Sequence, residues 1–265
     1  MISLARVPSI FLDRGVASFS VESIFVMNYH ILSDDERREL AAITWWHTIP
    51  VGWDNDKKLV FTSGKAPAYD PREFGIPDDL RGKTVLDIGA WDGYFTWACE
   101  KLGADVTSID TTREKGGNWG GTRGYEFCRR ALEAKAKLVY PLSIYDLPAE
   151  MHGQFDVVLN FGVLYHLHHP LIALEKTFLA TKPGGLAIFE TAYDHRNSLL
   201  GASLWSLWPN HEGDPTNFFY PTITGLKNAL GIYGFTDCKI HRIRGSRRNF
   251  LRKAGRFVMT ARRPL

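Results

Sequence analysis

Short apolar runs alternate with longer amphipathic stretches through the middle of the chain. Thr84 to Ile88, Val106 to Asp110, Leu138 to Leu142, Phe155 to Phe161 and Leu186 to Thr191 read as strands. Runs of Val, Leu and Ile without polar alternation mark strands covered on both faces. Helices are predicted between them, from about Tyr94 to Leu102, Tyr125 to Lys137 and Leu171 to Thr181. Pro170 suits the first turn of the last of these, and Lys182-Pro183-Gly184-Gly185 stops it. Such alternation builds a parallel sheet with right-handed crossovers. A further helix, Pro221 to Tyr233, leads into two strands, Phe235 to Arg244 and Arg256 to Ala261.

The flanks follow other patterns. Ser33-Asp34-Asp35-Glu36 is a capping box with acids in the first turn, opening a helix to about Trp45. Trp45, Trp46, His47 and Trp53 follow. Two uses fit them: stacking on a base or covering a cofactor, or stapling the leading helix to the core. Residues 54–80 read as loop, broken by Gly64, Pro67, Pro71 and Pro77. Asp194 to Tyr220 breaks the alternation, carries Trp205, Trp208, His211 and Pro215, and reads as an insertion over the carboxyl ends of the strands. The expected organisation is an extension and cap over residues 1–80, then one domain over 81–265 with the insertion at 194–220. Met27 begins a cleaner sequence, and residues 1–26 are read as an upstream extension.

Composition narrows the class. At 265 residues, 45% apolar and 23% charged, the chain is an ordinary globular one. The net charge of +3 settles nothing about nucleic acid, although His241 to Arg263 holds nine Lys and Arg and no acid. That run fits either a solvated face or a polyanion footprint. Cys99, Cys128 and Cys238 are odd in number and form no CxxC pair, which argues against a disulfide framework and a zinc site. No metal is expected, and a reducing, cytoplasmic compartment is. No apolar run is long enough to span a bilayer.

The chemistry centres on Asp87-Ile88-Gly89-Ala90-Trp91-Asp92-Gly93, where the first core strand turns into a helix. Gly89 and Gly93 permit a tight turn and close ligand approach, and the helix N-terminus offers free N–H groups. A dinucleotide site needs G-x-G-x-x-G, and Trp91 fills its middle glycine position. A P-loop needs Gly-Lys-Ser/Thr, which is absent. The D-x-G-x-x-x-G that remains resembles motif I of the class I S-adenosylmethionine methyltransferases. Asp110 ends the next strand, about 20 residues on, where an acid accepts from both ribose hydroxyls. The plainer reading is a strand–turn–helix with a surface Asp, and the two features together favour the ligand. The resemblance implies a Rossmann-like α/β fold: a seven-stranded, mostly parallel sheet with helices on both faces and an N-terminal helical extension.

A narrower resemblance lies in Gly82 to Gly89, Ser108 to Thr112, Gly162-Val163-Leu164-Tyr165-His166 and Phe219-Tyr220-Pro221-Thr222 with Leu226-Lys227-Asn228. These blocks are similar to the tRNA wobble-uridine methyltransferase and carboxymethyltransferase family, over roughly residues 45 to 263. The resemblance implies S-adenosylmethionine or carboxy-S-adenosylmethionine as donor and a uridine 5-hydroxyl as acceptor. It assigns the methionine end to Asp87, Gly89, Ala90, Trp91 and Gly93, and the ribose to Asp110 with Thr112. It sets Ile144 and Tyr145 beside the adenine, and counts Asn160 and Phe161, at the end of the fourth strand, among the cofactor-binding residues. Tyr165 and Arg256 match the Tyr and Arg that grip the extra carboxylate in the carboxymethyl branch. The Lys of that branch has only loose candidates in Lys57, Lys58 and Lys65. Ala90-Trp91-Asp92 and Phe161 depart from the family pattern, and a small-molecule acceptor or a non-catalytic binding module stay open.

Methyl transfer from a sulfonium needs alignment and exclusion of water, and a base where the acceptor is a hydroxyl. His166 and Tyr165 follow the fourth strand, where the methyl group would point. His166 is the candidate base, since imidazole titrates near neutrality; an orienting or structural role stands equally beside it. His168 and His169 lack further ligands at metal spacing and read as surface. Arg256 is either a bidentate carboxylate clamp or half of a salt bridge.

Overall fold

The computed structural model describes residues 29–111, 121–210, 213–244 and 254–265. Residues 1–26, Thr112, His211 and most of the glycine-rich loop after Asp110 lie outside the described residues.

The leading segment starts with helix α1 (Asp34–Ala42), which carries the expected capping box: Ser33 Oγ accepts from Glu36 N–H, and the Glu36 carboxylate accepts from Ser33 N–H. The helix stops at Ala42, short of Trp45, because β-branched Ile43 and Thr44 lead into extended backbone that bonds elsewhere. Residues 54–80 are more ordered than their prolines suggest. Strands β1 (Pro50–Trp53) and β2 (Leu59–Phe61) pair as a hairpin, and Pro71–Phe74 forms a 3₁₀ turn capped by Asp70.

Next come β3 (Thr84–Ile88), α2 (Tyr94–Lys101), β4 (Asp105–Ile109), α3 (Arg123–Ala131) and β5 (Lys137–Val139). Helix α3 ends well before Lys137, since Glu133 enters the left-handed region at φ 51°. The strand after it is short, and Pro141 could donate nothing to a continued ladder. Then follow β6 (Phe155–Phe161), α4 (Pro170–Ala180) and β7 (Thr181–Asp194), which runs past the expected Thr191. Residues 194–220 hold a short helix, α5 (His195–Leu199), and β8 (Trp205–Leu207), which pairs antiparallel with β9 (Phe219–Pro221). Helix α6 (Ile223–Ile232) leads to β10 (Thr236–Arg244) and β11 (Ala254–Arg262).

The seven-stranded sheet is ordered β10-β11-β7-β6-β3-β4-β5. Strands β3 to β7 are parallel, and β11 runs antiparallel between β7 and β10. This is the expected Rossmann-like α/β arrangement. Strand parity divides the core. Val85, Val106, Val157, Leu159 and Ile188 pack in one apolar cluster with Trp97, Tyr94 and Phe127. Leu86, Ile109, Val158 and Phe189 pack in another with Leu174, Leu226 and Phe235. Each fully buried Leu or Phe contributes on the order of 1.5–3 kcal/mol. The chain leaves β3 toward β4 on one side and returns to β6 on the other. That reversal opens a crevice at the carboxyl ends of these strands, where open α/β sheets bind ligands. Among the described residues, no helix is long and apolar enough to cross a membrane.

Candidate active site

The crevice holds a cavity of about 470 Å³, within the usual size of a small-molecule site. Its floor is the turn after β3. Gly89 sits at φ 72°, and a Cβ there would come within 2.5 Å of Val163 Cγ2. Gly89 and Ala90 line the cavity while their N–H groups bond Ile109 O. Trp91 lines it too, at φ 54°, and its N–H donates to Asp110 Oδ2 at 2.8 Å. A non-glycine residue in that region costs roughly 1–2 kcal/mol. The Asp110 bond and a stack against Trp46, with ring centroids 5.5 Å apart, help hold it. Gly93 instead faces Trp97 as the cap of α2, away from the cavity.

Asp87 is on the inner face of β3 and lines the cavity while almost wholly buried. Its carboxylate accepts from Thr96 Oγ1 at 2.6 Å, and Thr96, Ser108 and Tyr125 continue the network. Burial pushes the Asp87 carboxyl up to about 6, and the Asp110 charge pushes the same way; the Thr96 bond and His47 pull against them. Asp110 lines the cavity at the end of β4, with Oδ1 accepting from Thr111 N–H.

Some of the expected residues lie elsewhere. Ile144 and Tyr145 do not line the cavity. The 3₁₀ turn Ile144–Asp146 buries Ile144 in the core, and the Tyr145 hydroxyl accepts from His169 N–H at 2.9 Å. Leu138 and Tyr140 reach the cavity from that side instead. Asn160 lies wholly buried below it, donating to Thr177 Oγ1, while Phe161 forms wall.

The opposite wall gathers Tyr165, His166, Glu190 and Arg256. Arg256 on β11 donates from Nε and Nη2 to the two Glu190 oxygens, each at 2.6 Å, and from Nη1 to the Tyr165 hydroxyl at 3.0 Å. Its guanidinium also lies 5.0 Å from the Tyr165 ring centroid. Register explains the pair: Glu190 on β7 faces Val258, two residues beyond Arg256, so the long side chains meet on one face. Burial, the largest single influence, would lower the guanidinium, but the charges and hydrogen bonds of Glu190 and Tyr165 together outweigh it and hold Arg256 well above its ordinary value. The salt-bridge reading of Arg256 is thus present in the structure, on the cavity wall where a clamp would also act.

His166 ends the 3₁₀ turn after β6. Its Nδ1 lies 3.0 Å from Thr216 O and 2.9 Å from Thr216 Oγ1. Thr216 Oγ1 gives its own proton to Asp214 Oδ1 at 2.6 Å. Both Thr216 atoms therefore present lone pairs, which assigns a proton to Nδ1 and leaves Nε2 basic in the neutral ring. Sequence reasoning missed Asp214 and Thr216, fifty residues away with no motif to mark them. It also missed the Asp92 partner of His47, with Nδ1 to Oδ1 at 2.5 Å. Trp45 and Trp46 divide the two uses expected of them: Trp45 is buried against Phe127, while Trp46 lines the cavity. Among the described residues, no group of three potential ligands could hold a metal.

Known proteins share this architecture. The N-terminal domain of EvdMO1, solved with S-adenosylhomocysteine bound, matches 88% of this chain and 98% of its own, with TM-score 0.60 and 18% identity. Phosphoethanolamine N-methyltransferase 2 of Haemonchus contortus, in complex with S-adenosyl-L-methionine, matches 74% of this chain and 51% of its own, with TM-score 0.54 and 12% identity. In sequence, the tRNA U34 carboxymethyltransferase of Pseudomonas fluorescens (strain SBW25) is 30% identical over 168 residues, 61% of this chain and 48% of that protein. The same-named protein of Pseudomonas syringae pv. syringae (strain B728a) is 31% identical over the same shares. The chain spans about half the length of the curated relatives it matches. The methyltransferase domain family model matches residues 66–240, more than half of the chain, and the chain belongs to that family.

Proposed function

We propose that the protein is an S-adenosylmethionine-dependent methyltransferase acting on a hydroxyl group, with a tRNA wobble uridine as the leading acceptor. The observation that carries this reading is the pairing, across one cavity, of the glycine turn and Asp110 with an imidazole whose Nε2 is the basic nitrogen. The turn suits the donor: Gly89, at φ 72° and packed against Val163, and Asp110, the acid ending β4, line the same cavity. Gly89, Ala90 and Trp91 would hold the methionine end, and Asp110 the ribose. When bound, S-adenosylmethionine supplies a methyl group already activated on a sulfonium.

The remaining work falls to the chain. His166 Nε2 takes the hydroxyl proton as the oxygen becomes nucleophilic, and Thr216 with Asp214 keeps the ring in the required tautomer. Tyr165 packs against the His166 ring, with centroids 4.1 Å apart, and limits its rotation. Phe161 and Phe95 form an apolar wall that excludes competing water. The wobble-uridine reading rests on the curated relatives and on the Gly162 to His166 and Phe219 to Thr222 blocks.

Tyr165 and Arg256, joined at 3.0 Å on the cavity wall, favour a second reading, in which the donor is carboxy-S-adenosylmethionine. Glu190 already takes two Arg256 donors, which supports ordinary S-adenosylmethionine as the first choice. The test is mass spectrometry of the co-purifying nucleoside, followed by nucleoside analysis of bulk tRNA incubated with the protein and each donor. A methylated or carboxymethylated 5-hydroxyuridine supports the RNA acceptor. Unmodified tRNA with turnover of small hydroxyl compounds moves the acceptor to a metabolite. Absence of any bound adenosyl compound, together with no S-adenosylhomocysteine binding, overturns the reading.

A further inference from the structure

His47 is a second imidazole on the cavity, on the side of the glycine turn. Its placement is heavily determined. Asp92, 1% exposed, accepts from the backbone N–H groups of Trp46 and His47 through Oδ2, at 3.1 and 2.8 Å, and meets His47 Nδ1 through Oδ1. The ring stacks on Tyr94 at 5.2 Å and meets the edge of Phe95 at 6.0 Å. With Nδ1 committed to a carboxylate, Nε2 is the nitrogen left for a ligand, and it has no partner among the described residues.

Charge says what that ligand group is. The glycine-turn side of the cavity carries two acids, Asp87 and Asp110. Asp110 stands at the ribose position. Asp87 is close enough to His47 for their charges to interact, and it offers an anion to the ammonium of an amino acid. The α-carboxylate of that same amino acid then needs a donor beside the turn. The other basic side chains on the described cavity wall, His166 and Arg256, are held on the opposite side by Thr216 and Glu190. His47 alone of the three stands with the acids. In the imidazolium form both ring nitrogens donate, Nδ1 to Asp92 and Nε2 to a further acceptor.

We propose that the Asp92–His47 pair receives the α-carboxylate of the donor's amino-acid end, making His47 a cofactor-binding residue and Asp92 its positioning residue. The proposal rests on the S-adenosylmethionine reading above. It explains why an Asp sits in the turn: Asp92 ties the leading segment to the motif that it covers. The same contact makes cofactor affinity depend on a residue forty-five positions before the turn.

The test is calorimetric titration of the whole protein with S-adenosylhomocysteine and with its decarboxylated analogue, which keeps the amine. Three variants are used: His47→Ala; His47→Asn, whose amide meets Asp92 without reaching the cavity; and His47→Gln, whose amide reaches the cavity. Losing a charge-assisted hydrogen bond weakens binding by roughly 10- to 100-fold. That loss is expected for S-adenosylhomocysteine in the Ala and Asn variants, with part of the affinity kept by Gln. The decarboxylated analogue is expected to bind all forms within about twofold. Equal weakening of both ligands in His47→Asn would show a merely structural ring and overturn the proposal. Unchanged binding of both with lost turnover would make His47 a base and overturn it as well. Failure of the unmutated protein to bind S-adenosylhomocysteine would instead defeat the underlying donor reading, and is seen before any substitution is made.

Discussion

Replacing Asp87 by Asn should stabilise the free protein while weakening cofactor binding, and the stabilisation should depend on pH in a defined direction. The carboxyl is pushed up from its ordinary 3.8 to about 6, chiefly by burial and next by the charge of Asp110. The native state therefore holds this proton more tightly than the unfolded chain does. Well below the ordinary 3.8 the group is protonated in both states and costs nothing. As pH climbs toward 6 the unfolded chain releases the proton first, so stability falls; above the native value the loss is constant. The displacement from 3.8 to about 6 corresponds to ~3 kcal/mol at pH 8. Asn keeps an oxygen for the Thr96 hydroxyl but adds an N–H that needs an acceptor, an offset of about 1 kcal/mol that does not vary with pH. Urea unfolding of both proteins at pH 4.5, 5.5, 6.5 and 8, without cofactor, separates the two effects. The difference in free energy should grow with pH in favour of Asn, by ~2 kcal/mol between pH 4.5 and 8. A difference flat with pH would refute the reasoning, because it would mean that Asp87 titrates alike in both states. The acid's retention despite that cost is then explained by function: an ammonium brought beside Asp87 supplies the counter-charge that the free protein lacks.

Gly89→Ala combines a left-handed φ with a Cβ 2.5 Å from Val163; it should cost roughly 1–3 kcal/mol in urea unfolding and weaken S-adenosylhomocysteine binding measured by calorimetry. His166→Ala should lower kcat by about 10²–10⁴-fold with S-adenosylhomocysteine affinity unchanged. Thr216→Val, which keeps the carbonyl that orders the ring, should lose much less; equal losses in the two would show that the Thr216 carbonyl does not fix the tautomer. Glu190→Gln leaves the Arg256 guanidinium without its carboxylate, and since that side chain is 40% exposed the expected cost is only about 1–3 kcal/mol. The freed guanidinium should also shift competition binding toward carboxy-S-adenosylmethionine, and a ratio unmoved by the substitution would remove Arg256 from donor selection.

What the sequence revealed, and what it withheld, follows from range. The parallel strands were readable because buried runs such as Val157 to Leu159 are apolar on both faces, a local property. The glycine turn and Asp110 were readable because each belongs to one strand end. Helix ends were read less well: α3 stops at Ala131 because Glu133 turns left-handed, which nothing in an uninterrupted helical pattern announces. Ile144 and Tyr145 were placed by position after a strand, yet a single 3₁₀ turn rotates Ile144 into the core. The contacts that give the cavity its polarity were beyond reach. Asp92–His47, Thr216–His166 and Glu190–Arg256 join residues 45, 50 and 66 positions apart, and their pairing depends on how the sheet and its loops are arranged in space. Each pair fixes one side chain through another on a different element, so the wall that faces a ligand is assembled from three separate ties into the scaffold. The half of the cavity that the turn supplies is set by the short-range geometry of Gly89 to Asp92, with the Asp92–His47 tie holding the leading segment beside it. The opposite wall, which in the proposed function faces the acceptor, is set by the Thr216–His166 and Glu190–Arg256 ties, and there substitution should change specificity before it changes fold.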